Sequence, residues 1–133
     1  MIWLLDVNAL IAALVSGHEH HEPVEAWLAG LSDEDGLATC SITELGFVRV
    51  MNQAPQYRVP IRDSIRLLTR FQGNQTRTVM RLTDDRGVAD LAAWVKTARQ
   101  TTDGHLLGLA ESHGAHLATL DTGIPGAFLI PRS

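Results

Sequence analysis

Short runs of apolar residues alternate along this chain with stretches in which apolar residues recur at helical spacing. The short runs predict strands at residues 2–5, 37–40, 78–82, 117–120 and 128–130. The helical spacing predicts helices over residues 8–15, 23–30, 42–53, 61–74, 87–99 and 103–114. Buried strands that alternate with helices are typical of α/β proteins. We therefore expect a three-layer sandwich with a central, mostly parallel sheet of about five strands flanked by helices.

Composition narrows the class of protein further. With 133 residues, 45% of them apolar, and a net charge of −4, the chain is a globular sequence rather than a disordered one. We expect residues 1–133 to form a single domain. No apolar run approaches the length of a membrane span, and no Lys or Arg precedes the first apolar stretch as in a signal peptide. The single cysteine, Cys40, excludes an internal disulfide and a thiolate-rich zinc site. These features favour a soluble, cytoplasmic protein.

Charge is distributed unevenly along the chain. Residues 1–48 hold eight acids and no Lys or Arg, whereas residues 49–99 hold ten basic residues and four acids. Within residues 49–99, four arginines follow one another at a spacing of four residues and would form a stripe along one side of a helix, called here the arginine stripe: Arg58, Arg62, Arg66 and Arg70. Two interpretations stay open for the stripe. It is either the solvated face of a helix whose apolar side carries Ile61, Ile65 and Leu68, or a local patch for nucleic acid.

Four acids from distant parts of the sequence are expected at one edge of the sheet. Asp6 and Asp121 each follow a predicted strand, Glu44 lies just after the second strand, and Asp103 opens the helix before the fourth. If ionised about 5 Å apart, each pair would repel by roughly 3 kcal/mol at an effective dielectric constant near 20. Such a cluster needs protons or a cation, and hard oxygen ligands favour Mg²⁺ or Mn²⁺ over zinc.

Three of these acids also have an ordinary structural explanation. Glu44 fits a capping box with Ser41, Asp103 would meet the positive end of a helix dipole, and Asp121 precedes Thr122-Gly123 in a turn pattern. Asp6 has no such explanation, because an acid directly after an apolar strand is unfavourable without a partner.

Four segments resemble, in order and spacing, the PIN-domain family, which includes the VapC-type toxins of bacterial toxin–antitoxin pairs. They are Leu5-Asp6-Val7-Asn8-Ala9-Leu10, Ser41-Ile42-Thr43-Glu44-Leu45, Thr102-Asp103-Gly104-His105-Leu106 and Thr119-Leu120-Asp121. The resemblance implies a five-stranded parallel sheet and an endoribonuclease dependent on Mg²⁺ or Mn²⁺ that cleaves RNA with a metal-activated water. It also implies a cognate antitoxin as inhibitor and a homodimer.

Site residues follow from the resemblance by position. It implies an acidic quartet that is both catalytic and metal-binding: Asp6, Glu44, Asp103 and Asp121. Thr119 resembles the family's hydroxyl residue beside the metal, and on a strand it points to the same side as Asp121. Asn8 is either a further substrate-binding residue or simply a helix cap. Arg62 and Arg66 are candidates for contact with RNA on a separate ground, their place in the arginine stripe.

Other functions fit the sequence less well. A phosphatase of the haloacid dehalogenase type requires Asp-x-Asp, and Asn8 stands at the second position. A phospho-receiver domain requires a lysine at a late strand end, and the only lysine, Lys96, lies in a predicted helix. The non-enzymatic alternative is a catalytically silent PIN-like interaction module, in which an acid of the quartet should be missing, and none is. We expect His18-Glu19-His20-His21 to be a surface loop. The glycosylation sequon Asn74-Gln75-Thr76 has no role in a cytoplasmic protein.

Overall fold

The structure, a computed structural model, describes residues 1–74 and 77–133, so the sequon at 74–76 lies mostly outside the described residues. Within those ranges the strands are β1 (Ile2–Leu5), β2 (Gly36–Cys40), β3 (Val79–Leu82), β4 (His116–Thr119) and β5 (Phe128–Leu129). All of their pairings are parallel, and the order across the sheet is β3-β2-β1-β4-β5. The predicted α/β fold with a parallel five-stranded sheet is confirmed.

The helices cover both faces of this sheet. They are α1 (Val7–Leu14), α2 (His21–Ala29), α3 (Ser41–Gln53), α4 (Ile61–Asn74) and α5 (Ala98–Ser112). Helices α1 to α4 contribute to the core on one face, and α5 contributes to the core on the other. None of the helices in the described ranges is long and apolar enough to cross a membrane.

Alternation along the strands sorts their side chains between the two faces. Leu5, Leu37 and Ala118 belong to the core beneath α1 to α4. Leu4, Ala38 and Leu117 belong to the core beneath α5. Because neighbouring strand residues point to opposite faces, residues two apart share a face. This parity decides on which side each polar residue at the sheet edge lies.

The predicted helix over residues 87–99 is wrong. The structure has only a 3₁₀ turn at Val88–Asp90 in the first part of this range, and α5 begins at Ala98. Val88 is 86% exposed, whereas Trp94 packs against the core beneath α5 from the irregular segment that follows the turn. Helix α5 starts where the Gln100 side chain accepts from the Thr97 amide at 3.2 Å and from the Lys96 amide at 2.7 Å. Asp103 therefore lies in the second turn of α5 rather than at its start.

The capping box predicted for Ser41 and Glu44 is also wrong. The N-cap of α3 is Cys40, and its amide donates to the Thr43 hydroxyl at 3.0 Å. Thr43 is fully buried and so is fixed in this capping position. The carboxylate of Glu44 is left available for other partners.

The arginine stripe is shorter than its spacing suggested. Arg58 precedes α4 in the left-handed backbone region, with φ of 48°. The remaining arginines of the stripe lie on α4, but the apolar residues opposite them are not all in the core. Ile61 and Ile65 are each 48% exposed, whereas Leu68 is 5% exposed. The first two instead line an open groove between α3 and α4.

Candidate functional site

The carboxyl ends of β1 and β4 meet at one edge of the sheet, where Asp6 and Thr119 lie. Asp6 follows β1 directly, and its amide donates to the Ala118 carbonyl at 2.9 Å, which extends the pairing of the two strands. Asp6 is 7% exposed and Thr119 is fully buried. A carboxylate at this depth needs polar partners, because transfer of a charge out of water is unfavourable.

The Thr119 hydroxyl is the centre of the polar contacts at this edge. It donates to Asp6 Oδ2 at 2.7 Å. It accepts from Asn8 Nδ2 at 3.2 Å and from the Asp121 backbone N–H at 3.0 Å. A hydroxyl has one proton and two lone pairs, so these three bonds use its whole capacity. Thr119 thus fixes the Asp6 carboxylate relative to the end of β4.

Asn8 does not cap the first helix. The N-cap of α1 is Asp6, whose Oδ1 accepts from the Val7 amide at 2.8 Å. A carboxylate suits this position because it also faces the positive end of the helix dipole. Asn8 crosses to β4, where its Nδ2 donates to Thr119 and its Oδ1 accepts from the Leu120 amide at 3.0 Å. Both ends of the Asn8 amide therefore connect α1 to the end of β4.

Asp103 and Asp121 complete a group of three acids near this edge, called here the aspartate cluster (Asp6, Asp103 and Asp121). Asp121 is exposed, and its Oδ1 accepts from the Gly123 amide at 2.8 Å, which makes the predicted turn. Asp103 is half-buried on α5, the helix that covers the same face of the sheet as Thr119. The charges of Asp6 and Asp121 both act on Asp103.

The environment of the aspartate cluster disfavours negative charge. Burial raises the pKa of Asp6 above its ordinary value, and the Asp121 charge adds to this, against hydrogen bonds from Thr119 and Val7. Burial also raises the pKa of Asp103, followed by the charges of Asp6 and Asp121, with Arg99 acting in the opposite direction. The charge of Asp121 thus makes Asp6 harder to ionise, and the charges of Asp6 and Asp121 do the same to Asp103, so a proton or a cation is stabilised among them.

Glu44 is not part of this group. Its Oε2 accepts from the Thr39 hydroxyl at 2.7 Å and from Gln72 Nε2 at 3.0 Å. Thr39 shares a sheet face with Leu37, the face that α4 covers, whereas the aspartate cluster is on the α5 side. Glu44 is not among the charges that shift the pKa of Asp6 or Asp103. The structure therefore brings together three of the four predicted acids.

The donors of the aspartate cluster fit a hard divalent cation in chemistry. Carboxylate oxygens are the ligands that Mg²⁺ and Mn²⁺ prefer, and a cation would relieve the repulsion that raises the pKa values. In this conformation, however, no three acidic, His or Cys side chains of residues 1–74 and 77–133 are grouped as a metal-binding set. Occupation by a metal ion would require the carboxylates to draw closer together.

Arg62 and Arg66 are not brought near the aspartate cluster. They lie on α4, across the sheet from α5, and Arg66 is 3.8 Å from the Asp63 carboxylate. The basic residue that acts on the cluster is Arg99, one helical turn before Asp103 on α5. The i, i+4 spacing of Arg99 and Asp103 was visible in the sequence, but the predicted break between two helices hid it.

His105 has a partner that the sequence did not indicate. Its Nε2 is 2.5 Å from Asp84 Oδ2, and both side chains are largely buried. Burial works to raise the pKa of Asp84, but hydrogen bonds from His105 and the Arg86 amide lower it below its ordinary value. The pair fastens the segment after β3 to α5. No local pattern links residues 84 and 105, so only the fold reveals this contact.

Comparison with known proteins identifies the family. The model of the PIN domain matches residues 3–127. Ribonuclease VapC44 of Mycobacterium tuberculosis is 40% identical to this chain, over 93% of this chain and 92% of its own length. Ribonuclease VapC38 of the same species is 37% identical, over 91% of this chain and 86% of its own length. These two relatives match the chain nearly from end to end.

Solved structures share the fold. The VapBC2 structure from Rickettsia felis, bound to a DNA fragment from its promoter, matches with a TM-score of 0.65 at 14% identity and covers 97% of each chain. The FitAcB structure from Neisseria gonorrhoeae matches with a TM-score of 0.56 at 23% identity, over 99% of this chain and 98% of its own. Together with the family model and the relatives, this confirms the resemblance seen in the four segments: the chain belongs to the PIN-domain family and is similar to its VapC ribonucleases.

Proposed function

We propose that this protein is a VapC-like toxin, an endoribonuclease that hydrolyses RNA phosphodiester bonds with a divalent metal and that a cognate antitoxin holds inactive. The observation that carries the proposal is the aspartate cluster at the shared edge of β1 and β4, where the pKa values of Asp6 and Asp103 are raised. Groups with shifted pKa values at the carboxyl ends of the strands of an α/β sheet are typical of functional sites. Similarity to ribonucleases over most of the chain supports the same activity.

The metal is proposed to be Mg²⁺ or Mn²⁺, held by Asp6, Asp103 and Asp121, whereas Glu44, the fourth acid of the predicted quartet, is bound by Thr39 and Gln72 in this structure. A bound divalent cation would supply Lewis acidity and a water of lowered pKa for attack on phosphorus. The chain itself orients the ligands. Thr119 and the Val7 amide hold the two oxygens of Asp6, and Asp121 lies at the open side where an RNA phosphate can approach.

Substrate contacts are proposed from charge and exposure. Arg99 lies beside Asp103 and would attract the phosphate backbone close to the aspartate cluster. Arg62 and Arg66 are exposed on α4, which covers the opposite face of the sheet from α5. They would therefore contact only those parts of an RNA that extend past the aspartate cluster. Asn8 is better explained as a support for Thr119, since both ends of its amide are used within the protein.

Protein partners are proposed from the surface and from the structural relatives. Leu45, Ile61 and Ile65 expose 67%, 48% and 48% of their surfaces around the groove between α3 and α4. Exposed apolar surface of this kind commonly mediates protein association. One structural relative is a toxin–antitoxin complex from Klebsiella pneumoniae, with a TM-score of 0.52 at 20% identity. We propose an antitoxin and a second copy of this chain as partners, in the cytoplasm.

Cleavage of RNA by the purified protein tests the proposal. The reaction is run with Mg²⁺, with Mn²⁺ and with EDTA, for the wild type, for Asp6→Asn and for the control Asp33→Asn, which changes an exposed loop residue. Loss of a group that supports a metal ion lowers activity by about tenfold to a hundredfold, and loss of a direct ligand by at least as much. We expect metal-dependent cleavage that survives in Asp33→Asn and is lost in Asp6→Asn. RNA binding without cleavage under every condition would instead indicate the catalytically silent interaction module.

A further inference from the structure

The segment that connects β3 to α5, called here the strap (residues 83–97), packs along α5. It is irregular backbone around the 3₁₀ turn at Val88–Asp90. Much of its contact lies on the side of α5 that carries Gly104 and Gly108. Leu106, two residues from each glycine, belongs to the core beneath α5 and lies on nearly the opposite side of the helix. Helix α5 is therefore held between the sheet and the strap.

Two glycines of α5 allow the strap to approach the helix closely. A Cβ at Gly104 would overlap Val95 Cγ2. A Cβ at Gly108 would lie 3.1 Å from Arg86 Nη2. Because these glycines are four residues apart, they lie on one side of the helix. Gly104 directly follows Asp103, so the strap contacts α5 beside a member of the aspartate cluster.

Histidine side chains fasten the strap to α5 and to its C-terminal end. His105 Nε2 is 2.5 Å from Asp84 Oδ2, and these two side chains are only 17% and 18% exposed. At the C-cap of α5, His113 Nε2 is 2.7 Å from the Thr83 carbonyl oxygen. A hydrogen bond to a carboxylate is stronger than one to a neutral carbonyl. The bond between Asp84 and His105 is therefore the firmer attachment of the two.

The position of α5 determines how close Asp103 lies to the other two acids of the aspartate cluster. The charges of Asp6 and Asp121 act on Asp103, and repulsion between like charges favours movement of α5 away from the sheet edge. Asp6 and Asp121 follow β1 and β4, whereas Asp103 belongs to the helix that the strap holds. His105 lies two residues after Asp103 in the same helical turn, so a displacement of this turn moves both residues.

We propose that Asp84 is a positioning residue: through its hydrogen bond with His105 it holds α5 against the sheet, so that Asp103 binds a divalent cation together with the rest of the aspartate cluster. This inference rests on the proposed metal-dependent function. Without the bond, the strap separates from α5 and one of the three carboxylate ligands is held less firmly. Groups that orient metal ligands in this indirect way contribute to the affinity for the ion although they do not touch it.

Binding of Mn²⁺ in the absence of RNA tests the inference, with free Mn²⁺ measured by electron paramagnetic resonance. Asp84→Ala removes the acceptor of the bond with His105. We expect its dissociation constant for Mn²⁺ to rise about tenfold, the lower end of the effect of losing a group that supports a metal ligand. Asp85→Ala is the matched control, because it removes the same charge from the exposed neighbouring position. It should bind Mn²⁺ as the wild type does.

The number of Mn²⁺ sites per chain separates positioning from a general structural defect. In Asp84→Ala this number should equal that of the wild type, since only the affinity changes. Misfolding of part of the protein would instead lower the number of sites at an unchanged dissociation constant, and that result would overturn the inference.

Replacement of His105 shows whether Asp84 acts through this residue. His105→Phe keeps an aromatic ring, removes both ring nitrogens and should weaken Mn²⁺ binding as much as Asp84→Ala does. In the His105→Phe background, Asp84→Ala should have no further effect, and effects that add in the double variant would contradict the inference. If the wild type binds no Mn²⁺, the proposed metal-dependent function fails and this inference fails with it. Mn²⁺ binding that Asp84→Ala leaves unaltered refutes the inference alone.

Discussion

Replacement of Thr119 by valine tests how the buried edge of the sheet is stabilised. Valine matches threonine in shape, so Thr119→Val removes the hydroxyl and leaves the packing in place. The hydroxyl donates to Asp6 and accepts from Asn8 and from the Asp121 amide. The substitution therefore leaves one buried acceptor and two donors without their partner. Thr119→Ser is the matched control, because it keeps the hydroxyl and removes only a methyl group.

The magnitude follows from how buried each of these groups is. Asp6 is 7% exposed, so its Oδ2 has little access to replacement water. A buried polar group left unsatisfied costs about 1–3 kcal/mol, and more when it is charged. The Asn8 and Asp121 donors are only partly buried and lose less, since water can replace the hydroxyl. We expect Thr119→Val to lower the free energy of unfolding by about 2–4 kcal/mol, against about 1 kcal/mol for Thr119→Ser.

Urea denaturation followed by circular dichroism, without added metal and at neutral pH, measures both variants. The account predicts that the unfolding midpoint of Thr119→Val lies well below that of Thr119→Ser, with similar dependence of the free energy on urea. If the valine variant is as stable as the serine variant, the hydroxyl does not hold Asp6 as described, and the assignment of Thr119 as the centre of this edge is refuted.

Three further results are expected. In the folded protein the pKa of Asp6 is raised above its ordinary value of 3.8, so the folded state holds the proton to higher pH than the unfolded state does. The metal-free wild type should therefore lose stability as the pH rises past that value. Thermal melts should show the melting temperature of Asp6→Asn rising relative to that of the wild type over the same range. Mg²⁺ should raise the melting temperature of the wild type more than that of Asp6→Asn, and equal shifts would contradict the site. A Cβ at Gly46 would lie 2.7 Å from Val7 Cγ2, so Gly46→Ala should lower the free energy of unfolding by about 1–3 kcal/mol in denaturation curves. Gly73→Ala is the control and should not lower it, because a Cβ at Gly73 on α4 meets no other atom within 4 Å.

Apolar patterning predicted the three middle strands of the sheet well because β1, β2 and β4 are largely buried. The runs at residues 2–5 and 117–120 form β1 and β4, which pair with each other, and their ends determine where Asp6 and Asp121 lie. Strand parity predicts that the Thr119 and Asp121 side chains share a side of the sheet, and the structure adds a hydrogen bond from the Asp121 backbone N–H to the Thr119 hydroxyl. These are local properties of a buried strand, so a sequence reveals them without knowledge of the rest of the fold.

The errors concern contacts between residues that are distant in the chain. Glu44 follows β2 as expected, but its direction depends on Gln72, 28 residues later, and no sequence pattern connects the two. Asn8 is of a residue type that commonly caps helices, yet its side-chain amide donates to the buried Thr119 hydroxyl instead. The segment predicted as a helix over residues 87–99 has apolar residues at suitable spacing, but Trp94 packs on the core from an irregular backbone while Val88 is 86% exposed.

The position of a bound Mn²⁺ ion tests the central claim most directly. Crystals of the protein soaked in Mn²⁺ would be measured at a wavelength where manganese scatters anomalously, so that the ion is located independently of the protein atoms. The account predicts a peak in contact with the carboxylates of Asp6, Asp103 and Asp121, and no such peak in crystals of Asp103→Asn. A peak found only elsewhere, for example at His18 and His20, or no peak at all, would contradict the assignment of the aspartate cluster as the metal site of this PIN-domain protein.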